Sequence, residues 1–444
     1  MTSEASRLGR IRVPVPWVAL STAVDNAQAT GVNGIAVGPG SPDTGAGSSV
    51  TIDLGAVADN VRVLREHSAD AATMVVVKAD GYNHGAEHVA RAALGAGASE
   101  LGVTTVDEAV ALRTAGIGAP ILSWLHGVDT DFAPAIANEI EIAVSSVQQL
   151  TAVIAAAQRV QHTAVVSLKI DTGLNRNGLL PGDLDEVFPL LARAAAEESV
   201  RFRAMFSHLA CADTPEHPAN DRQATILRES VVRARSAGMP PELVHLANSA
   251  ATLTRPDLRF DMTRPGIAAY GLSPIPELSH FGLTPAMTVT SQIALVKRVG
   301  KGESVSYGHT WTAAEDTVVG LVPMGYADGV TRNLSGRFDV SIRGRRFPSV
   351  GRVCMDQFVV DLGPNGGGVE VGDTAVLFGS GVDGEPLAQE WADTLGTIHY
   401  EVVTRIGGRA RRIHRGGPVQ PTAPSPTTSI DTTSGDTTSG EAAT

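Results

Sequence analysis

Lys78 is the side chain in this sequence with the clearest capacity for covalent chemistry. It ends the apolar run VVVK (75–78), where burial would strip water from its ammonium group and lower its pKa. A neutral amine is a base, and it is also a nucleophile that forms Schiff bases with carbonyl compounds such as pyridoxal phosphate. On position alone, an ordinary surface lysine at a strand end remains an open interpretation.

Polar side chains also follow three later apolar runs. His208 ends FRAMFSH, Ser249 follows ELVHLA, and Arg264 and Gly266 lie at the end of RFDMTRPG. A lone strand histidine or a lone Arg-Pro-Gly turn is usually structural. A serine and a glycine turn after two consecutive strands are more informative, because the last two strands of an eight-stranded barrel often carry a phosphate site. Gly266 would let the backbone approach an anion closely.

These residues depend on a repeating pattern of elements. Eight short apolar, β-branched runs between residues 73 and 264 alternate with Ala-rich helical stretches. Apolar strands that alternate with helices indicate a parallel sheet covered on both faces, and eight such units favour a closed barrel. The sequence therefore predicts an α/β fold, with a (β/α)8 TIM-like barrel over residues 49–280.

The pattern changes after residue 280. Short strands of alternating hydrophobicity follow one another, separated by Gly, Asp and Pro, as in TVVGLVPM and DQFVVDLG. This spacing predicts a small, mainly β domain over residues 281–415. Residues 1–48 and 416–444 are expected to be disordered, since Gly, Pro, Ser and Thr dominate much of them and they offer little apolar surface to bury.

Composition restricts the class of partner. The net charge of −12 disfavours binding to nucleic acid or to an anionic membrane, and no apolar stretch is long enough for a membrane span. Two cysteines indicate a reducing, cytoplasmic location rather than a disulfide framework. The N-terminal run VPVPWVALSTAV loosely imitates a signal peptide but contains two prolines. We therefore expect an enzyme that acts on a small molecule, with no metal.

Several segments together resemble the alanine racemases, a pyridoxal-phosphate-dependent family of fold-type III. The resemblance covers most of residues 49–410, in order and with consistent spacing. The segments that carry it are KADGYNHGA (78–86), KIDTGLNRNG (169–178), FSHLACAD (206–213), LVHLANSAA (243–251), TRPGIAAYG (263–271), VSYGHTW (305–311), GRVCMDQF (351–358) and IHYEVVTRIGGR (398–409).

The resemblance implies a role for each matching residue. Lys78 would carry pyridoxal 5′-phosphate and act as one catalytic base, and Tyr307 would act as the other. The residues implied to bind the cofactor, besides Lys78, are Tyr82, His208, Ser249, Arg264, Gly266, Ile267 and Tyr400. The residues implied to bind the substrate carboxylate are Arg176 and Met355. Arg264 would face the pyridine nitrogen, and since arginine keeps its proton, it would restrict charge from entering the ring.

The implied reaction is the interconversion of L- and D-alanine through an aldimine of the cofactor, which supplies D-alanine for peptidoglycan. Two fixed bases on opposite faces of Cα avoid the need for one base to cross the plane. In the family the tyrosine reaches the barrel of a second subunit. Because the usual pKa of tyrosine is about 10, the pKa of Tyr307 would have to be lowered, and we expect His208 and Arg264 together to lower it. The resemblance therefore implies a head-to-tail homodimer with shared sites.

Some points stay open at the level of sequence. In many family members the lysine at the position of Lys169 is carbamylated; the alternative is an unmodified amine paired with Asp171. Asn83 stands where glycine is frequent, and IGGRARRIHRGG lacks a usual Pro-Arg pattern.

A racemase of broader specificity, for instance for serine, is the alternative function. A related decarboxylase is disfavoured by Arg264, and a non-catalytic carrier of the cofactor is disfavoured by the second domain.

Overall fold

The structure is a computed structural model that describes residues 47–417. The two segments expected to be disordered, 1–48 and 416–444, lie outside the described residues except at their borders. The N-terminal apolar run also lies outside them.

Eight parallel strands form a closed barrel in chain order, and the last strand pairs with the first to complete the ring. The barrel strands are β2 (Ala72–Val76), β3 (Glu100–Val103), β4 (Ile121–Ser123), β5 (Glu141–Val144), β6 (Ala164–Lys169), β7 (Val200–Phe206), β8 (Leu243–His245) and β9 (Met262–Thr263). Each coincides with one of the eight apolar runs. The prediction of a TIM-like barrel is therefore confirmed.

Apart from α1, which precedes β2, the helices of the first part follow barrel strands, and some of them begin at a side chain that caps the first turn. In α4, for example, Thr105 accepts a hydrogen bond from the Glu108 amide, and the Glu108 carboxylate accepts one in return from the Thr105 amide. None of the helices between residues 47 and 417 is long and apolar enough to cross a membrane. The helices up to residue 254 are α1 (Leu54–Ser68), α2 (Lys78–Asn83), α3 (Ala86–Gly95), α4 (Val106–Thr114), α5 (Ala133–Ala137), α6 (Val147–Val160), α7 (Leu184–Ala196), α8 (Pro218–Ser236) and α9 (Ser249–Thr254).

The barrel interior is packed, so a ligand can bind only at its mouth. Met74, Leu122, Ala143, Phe206 and Met262 form one buried cluster contributed by five different strands. Such layers of side chains fill an eight-stranded barrel and leave the loops at the carboxyl ends of the strands to form the binding site.

The second part is a mainly antiparallel sheet of nine strands with a separate two-stranded hairpin of β12 and β13. The strand order in the sheet is β11-β14-β17-β16-β15-β18-β10-β1-β19, where β1 is Ser49–Asp53 and the bounds of the other strands are given at the end of this paragraph. Its alternating burial, as in β17, matches the alternating sequence pattern. The prediction of a mainly β second part is confirmed. Its elements are β10 (Met287–Gln292), β11 (Leu295–Val299), β12 (Ser304–Val305), β13 (Trp311–Thr312), β14 (Thr317–Val322), β15 (Asp339–Ile342), β16 (Arg345–Val350), β17 (Phe358–Gly363), β18 (Thr374–Phe378), α10 (Ala388–Leu395), α11 (His399–Arg405) and β19 (Arg411–Arg415).

The structure differs from the expected domain bounds in one respect. The strand β1 (Ser49–Asp53) falls within the predicted barrel segment 49–280, yet it pairs with β10 and β19 in the nine-stranded sheet. Its alternating burial suits a sheet with one buried face, whereas barrel strands such as β3 are buried throughout. The first described strand therefore belongs to the second sheet, ahead of the barrel strands, and the division near residue 280 stays a prediction.

Candidate active site

A cavity of about 380 Å³ opens at the carboxyl ends of the barrel strands. The last residues of β2, β6 and β7, namely Val76, Lys169 and Phe206, lie in its wall. All but two of the predicted site residues line the same cavity: Lys78, Tyr82, Arg176, His208, Ser249, Arg264, Gly266, Ile267 and Tyr400. The two exceptions are Tyr307 and Met355.

Lys78 lies two residues beyond the end of β2 and is partly buried. Burial lowers the pKa of its amine, the positive charge of Arg176 lowers it further, and Glu108 opposes both effects. Its Nζ lies 5.8 Å from the centre of the Tyr82 ring. A larger fraction of the amine is therefore neutral at a given pH than for a lysine in water.

Arg264 is a buried cation that forms no ion pair within the described part of the chain. Its Nη2 donates to the backbone oxygen of Ser207 at 2.7 Å, and its Nη1 lies 3.0 Å from Nδ1 of His245. Nδ1 of His208 lies 3.5 Å from Nη2. Burial lowers the pKa of Arg264 to about 9, so the guanidinium is charged at neutral pH and lacks a counter-ion.

The two histidines beside Arg264 are neutral. Burial, followed by the charge of Arg264, holds the pKa of His208 and that of His245 well below the usual histidine value. A neutral imidazole has one nitrogen that accepts a hydrogen bond, and Nδ1 of each ring faces the guanidinium. The pair therefore orients Arg264 without neutralising its charge.

Lys169 faces cations on two sides. Burial and the charges of Arg176 and Arg264 lower its pKa to about 8. Its Nζ donates to Oδ1 of Asn177 at 2.5 Å. The expected alternative partner, Asp171, instead accepts from the backbone amides of residues 173 and 175 at 2.9 and 3.0 Å. Carbamylation of Lys169 stays a prediction.

One wall of the cavity brings backbone close to hydroxyl groups. Oγ of Ser249 accepts from the backbone amides of Gly266 at 2.8 Å and Ala268 at 3.3 Å. A Cβ on Gly266 would collide with the hydroxyl of Tyr82. Burial raises the pKa of Tyr82 and that of Tyr400, so both phenols keep their protons and can donate hydrogen bonds to an anion.

Tyr307 and Met355 lie together on the β-sheet part, outside the cavity. Their exposed fractions are 70% and 53%, which is high for large side chains of this kind. The two segments touch through Ser306, whose Oγ donates to the backbone oxygen of Arg352 at 2.7 Å and lies 3.5 Å from Sγ of Cys354. The structure thus separates these two predicted residues from the other nine site residues named above.

The cavity also contains residues to which the sequence analysis gave no role. Trp124, which follows β4, and Asp213 line the wall; His245 does not line it but contacts Arg264, as described above. His245 ends β8 and Trp124 directly follows β4. Like His208 and Lys78, they lie at strand ends, so their positions in the sequence could have identified them as site residues. Asp213 lies in a loop, and nothing in its local sequence indicates that it faces the cavity.

The comparisons with known proteins concern the whole of the described chain. The family model "Alanine racemase, N-terminal domain" matches residues 52–274, and "Alanine racemase, C-terminal domain" matches residues 286–414. The alanine racemase of Mycobacterium avium (strain 104) is 55% identical over 381 residues, which are 86% of this chain and 98% of that protein. That of Mycobacterium tuberculosis (strain ATCC 25618 / H37Rv) is 56% identical over 364 residues, 82% of this chain and 95% of that protein.

Solved structures agree with the sequence comparisons. The crystal structure of alanine racemase from a D-cycloserine-producing Streptomyces lavendulae has a TM-score of 0.82 and 46% identity, covering 85% of this chain and 99% of that one. The structure from Streptomyces coelicolor A3(2) has a TM-score of 0.80 and 46% identity, covering 83% of this chain and 97% of that one. The two family models, the related sequences and the solved structures agree that this chain belongs to the alanine racemase family.

Proposed function

We propose that this protein interconverts L- and D-alanine with pyridoxal 5′-phosphate as its cofactor. The observation that carries the proposal is that one cavity contains a partly buried lysine of lowered pKa, Lys78, and a buried arginine, Arg264, that forms no ion pair within the described residues. The membership of the chain in the alanine racemase family supports it. The D-alanine would be used in peptidoglycan.

The charges of the cavity suit an anionic cofactor and an amino-acid substrate. Lys78, Lys169, Arg176 and Arg264 line it, and Asp213 is the one carboxylate among the described residues of the lining. Two of these cations, Lys169 and Arg264, are buried, and an excess of positive charge of this kind favours bound anions. Pyridoxal 5′-phosphate would bring a phosphate group, and alanine would bring a carboxylate. The donor set therefore fits the cofactor.

The phosphate end would lie at the wall formed by Ser249, Gly266 and Ile267, with the hydroxyl groups of Tyr82 and Tyr400 as donors. This assignment is supported by the backbone amides that converge on Ser249 and by the protonated state of both phenols. Glycine at 266 leaves room that a side chain would remove.

Arg264 would hold the pyridine nitrogen by donating a hydrogen bond. The neutral imidazoles of His208 and His245 already orient its guanidinium. Because the pKa of Arg264 is about 9, it keeps its proton at neutral pH and does not transfer it to the ring nitrogen. An acidic residue in this place would protonate the ring and strengthen its pull on electrons, which favours transamination.

The bound cofactor supplies electron withdrawal that makes the Cα–H bond of an amino acid acidic. The neutral amine of Lys78 would accept or return the Cα proton on one face of the substrate. Arg176 would hold the substrate carboxylate, and the same positive charge lowers the pKa of Lys78. The second face needs another acid–base group, because Lys78 cannot reach both sides of the same carbon.

Tyr307 is proposed as that second group, supplied by another copy of the chain. Its high exposure and its absence from the lining of the cavity support this assignment. Met355 lies in the same exposed patch and would meet the substrate carboxylate from the same side. The proposed enzyme is therefore a homodimer in which each site combines the barrel of one subunit with the β-sheet part of the other.

The test is a racemisation assay with purified protein, pyridoxal 5′-phosphate and the L- and D-forms of alanine, serine and lysine. We expect turnover of both alanine enantiomers and a much lower rate with lysine. Lys78→Ala should abolish the visible absorbance of the bound cofactor, whereas Tyr307→Phe should keep it and block turnover. Equal rates for alanine and serine would favour the broader racemase. Normal Cα-proton exchange of both enantiomers by Tyr307→Phe would disprove the two-base assignment.

A further inference from the structure

The turn that follows Lys78 is wound against the normal handedness of L-amino acids. Residues 79 to 82 have φ angles between 50° and 63°, and Asn83 continues with φ of 68°. This region is unfavourable for residues that carry a Cβ, and here only residue 81 is glycine. Several such residues in succession persist only where the surrounding structure holds them. Contacts from outside the turn must therefore fix its shape.

Those contacts come largely from the last described strand, β19. Nη1 of Arg412 donates to Oδ2 of Asp80 at 2.5 Å, and Nη2 of Arg412 donates to the side-chain oxygen of Asn83. The side-chain nitrogen of Asn83 donates to the backbone oxygens of Val403, at 3.0 Å, and of Ile406. One guanidinium thus bridges both ends of the left-handed turn, and Asn83 also ties the turn to α11 and the loop that follows it.

A second side chain of β19 contacts the residue just after the turn. Nε2 of His414 lies 2.8 Å from the backbone oxygen of His84, and the ring of His414 stacks on that of His88 with centres 3.8 Å apart. Oδ1 of Asp80 accepts from the backbone amide of Ala86 at 2.9 Å. The strand β19 is therefore packed along the whole junction between α2 and α3.

The turn matters because it carries two residues of the cavity wall. Lys78 begins it and Tyr82 lies inside it, and both line the cavity. Arg412 and Asn83 do not line the cavity, so any effect that they have on it passes through the backbone of the turn. A shift of the turn would move the amine and the phenol together.

We propose that Arg412 and Asn83 are positioning residues, which hold the left-handed turn so that Lys78 and Tyr82 face the cofactor at the same time. The identity of the cofactor rests on the proposed function. The two side chains are in direct contact, through the hydrogen bond that Nη2 of Arg412 donates to the side-chain oxygen of Asn83.

The test compares R412A, N83G and R415A, the last being an exposed arginine of the same strand. Cofactor-free protein is titrated with pyridoxal 5′-phosphate by visible absorbance, and hydrogen exchange of the amides of residues 79–84 is measured without cofactor. We expect R412A and N83G each to weaken binding about tenfold, as the loss of charge-assisted hydrogen bonds predicts. Both should accelerate exchange in the turn, whereas R415A should match the unaltered protein.

Two further variants distinguish positioning from a general loss of stability. R412K keeps the charge but can reach only one of the two partners, so it should restore part of the affinity. The fold loss of cofactor affinity in the double variant R412A/N83G should be smaller than the product of the two single fold losses, because the two residues share a hydrogen bond. A merely structural role would lower thermal stability and leave the Kd for the cofactor unchanged.

Two results would overturn different claims. Cofactor binding by R412A within about twofold of R415A, with unchanged exchange at residues 79–84, would overturn the positioning role. If R412A does not fold, the same comparison is made with R412K and N83G. Failure of the unaltered, folded protein to bind pyridoxal 5′-phosphate would instead overturn the proposed function.

Discussion

At the scale of single residues, the chemistry of the cavity depends on cations held close together, of which Lys169 and Arg264 are buried. Burial lowers the pKa of Lys78 and brings that of Lys169 to about 8, and the neighbouring Arg176 adds to both effects. Arg264, with a pKa of about 9, remains charged at neutral pH. The lysines are thus brought towards the neutral form needed for bases and nucleophiles, while the arginine keeps the charge that binds an anion.

The pH dependence of cofactor capture tests this arrangement at Lys78. Only the neutral amine attacks a carbonyl group, so the rate at which cofactor-free protein captures pyridoxal 5′-phosphate should rise with pH until Lys78 is deprotonated. The midpoint should lie below 10.5, because the pKa is lowered. Arg176→Gln removes one cause of that lowering, so the midpoint should move to higher pH.

Stopped-flow absorbance over a pH series measures this midpoint. Arg193→Gln is the matched control, since Arg193 is an exposed arginine of α7. A midpoint that is the same for Arg176→Gln and Arg193→Gln would show that the charge of Arg176 does not lower the pKa of Lys78.

At the scale of elements, the site depends on how closely the loop after β9 approaches the turn after β2. The rings of Tyr82 and Tyr270 lie 4.9 Å apart, and the hydroxyl of Tyr270 donates to the backbone oxygen of Val76 at 2.9 Å. Gly266 faces the Tyr82 hydroxyl at a distance that leaves no room for a Cβ. Two segments far apart in sequence are thereby packed into one wall.

Gly266→Ala tests whether this close approach serves the cofactor. The added methyl group should displace the Tyr82 hydroxyl and weaken binding of pyridoxal 5′-phosphate about tenfold. It should also lower the free energy of unfolding by roughly 1–2 kcal/mol. Absorbance titration and thermal unfolding measure the two effects. Gly95→Ala is the control, because a Cβ there meets nothing within 4 Å. Equal affinity in the two variants would remove Gly266 from the proposed phosphate wall.

At the scale of the whole molecule, the chain separates two predicted catalytic residues that the proposed reaction needs together. Lys78 lines the cavity of the barrel, whereas Tyr307 is exposed on the β-sheet part. In a symmetric dimer each interface contact occurs twice. Each subunit would therefore supply its Tyr307 to the cavity of the other, and both sites would be completed. Neither copy alone would then hold a complete pair of bases.

Mixing two inactive variants tests the shared site. In a dimer of one Lys78→Ala chain and one Tyr307→Phe chain, one site contains both substitutions and the other contains neither. Co-refolded or co-expressed mixtures should therefore regain about a quarter of the normal activity if subunits pair at random. Each variant alone, carried through the same procedure, is the control. Mixtures as inactive as the separate variants would contradict a site shared between subunits.

The sequence by itself determined the fold class and nine of the residues that line the cavity. Apolar runs between helical stretches predicted the eight barrel strands, because the residues of a buried parallel strand are apolar on both faces. Strand-end positions and matching segments indicated Lys78, His208 and Arg264, which the structure brings around one cavity. Both kinds of signal are local, since each lies within a few consecutive residues.

Only the tertiary structure decided which distant segments meet. It places β1 in the second sheet, joins Arg412 to Asn83 across the left-handed turn, sets His245 against Arg264, and leaves Tyr307 outside the cavity. It also sets the pKa shifts of the lysines, which depend on burial and on charges from other strands. The residue pattern of a strand predicts that it will pair but not which strand will be its partner. Backbone hydrogen bonds can form between any two strands, whatever their positions in the sequence.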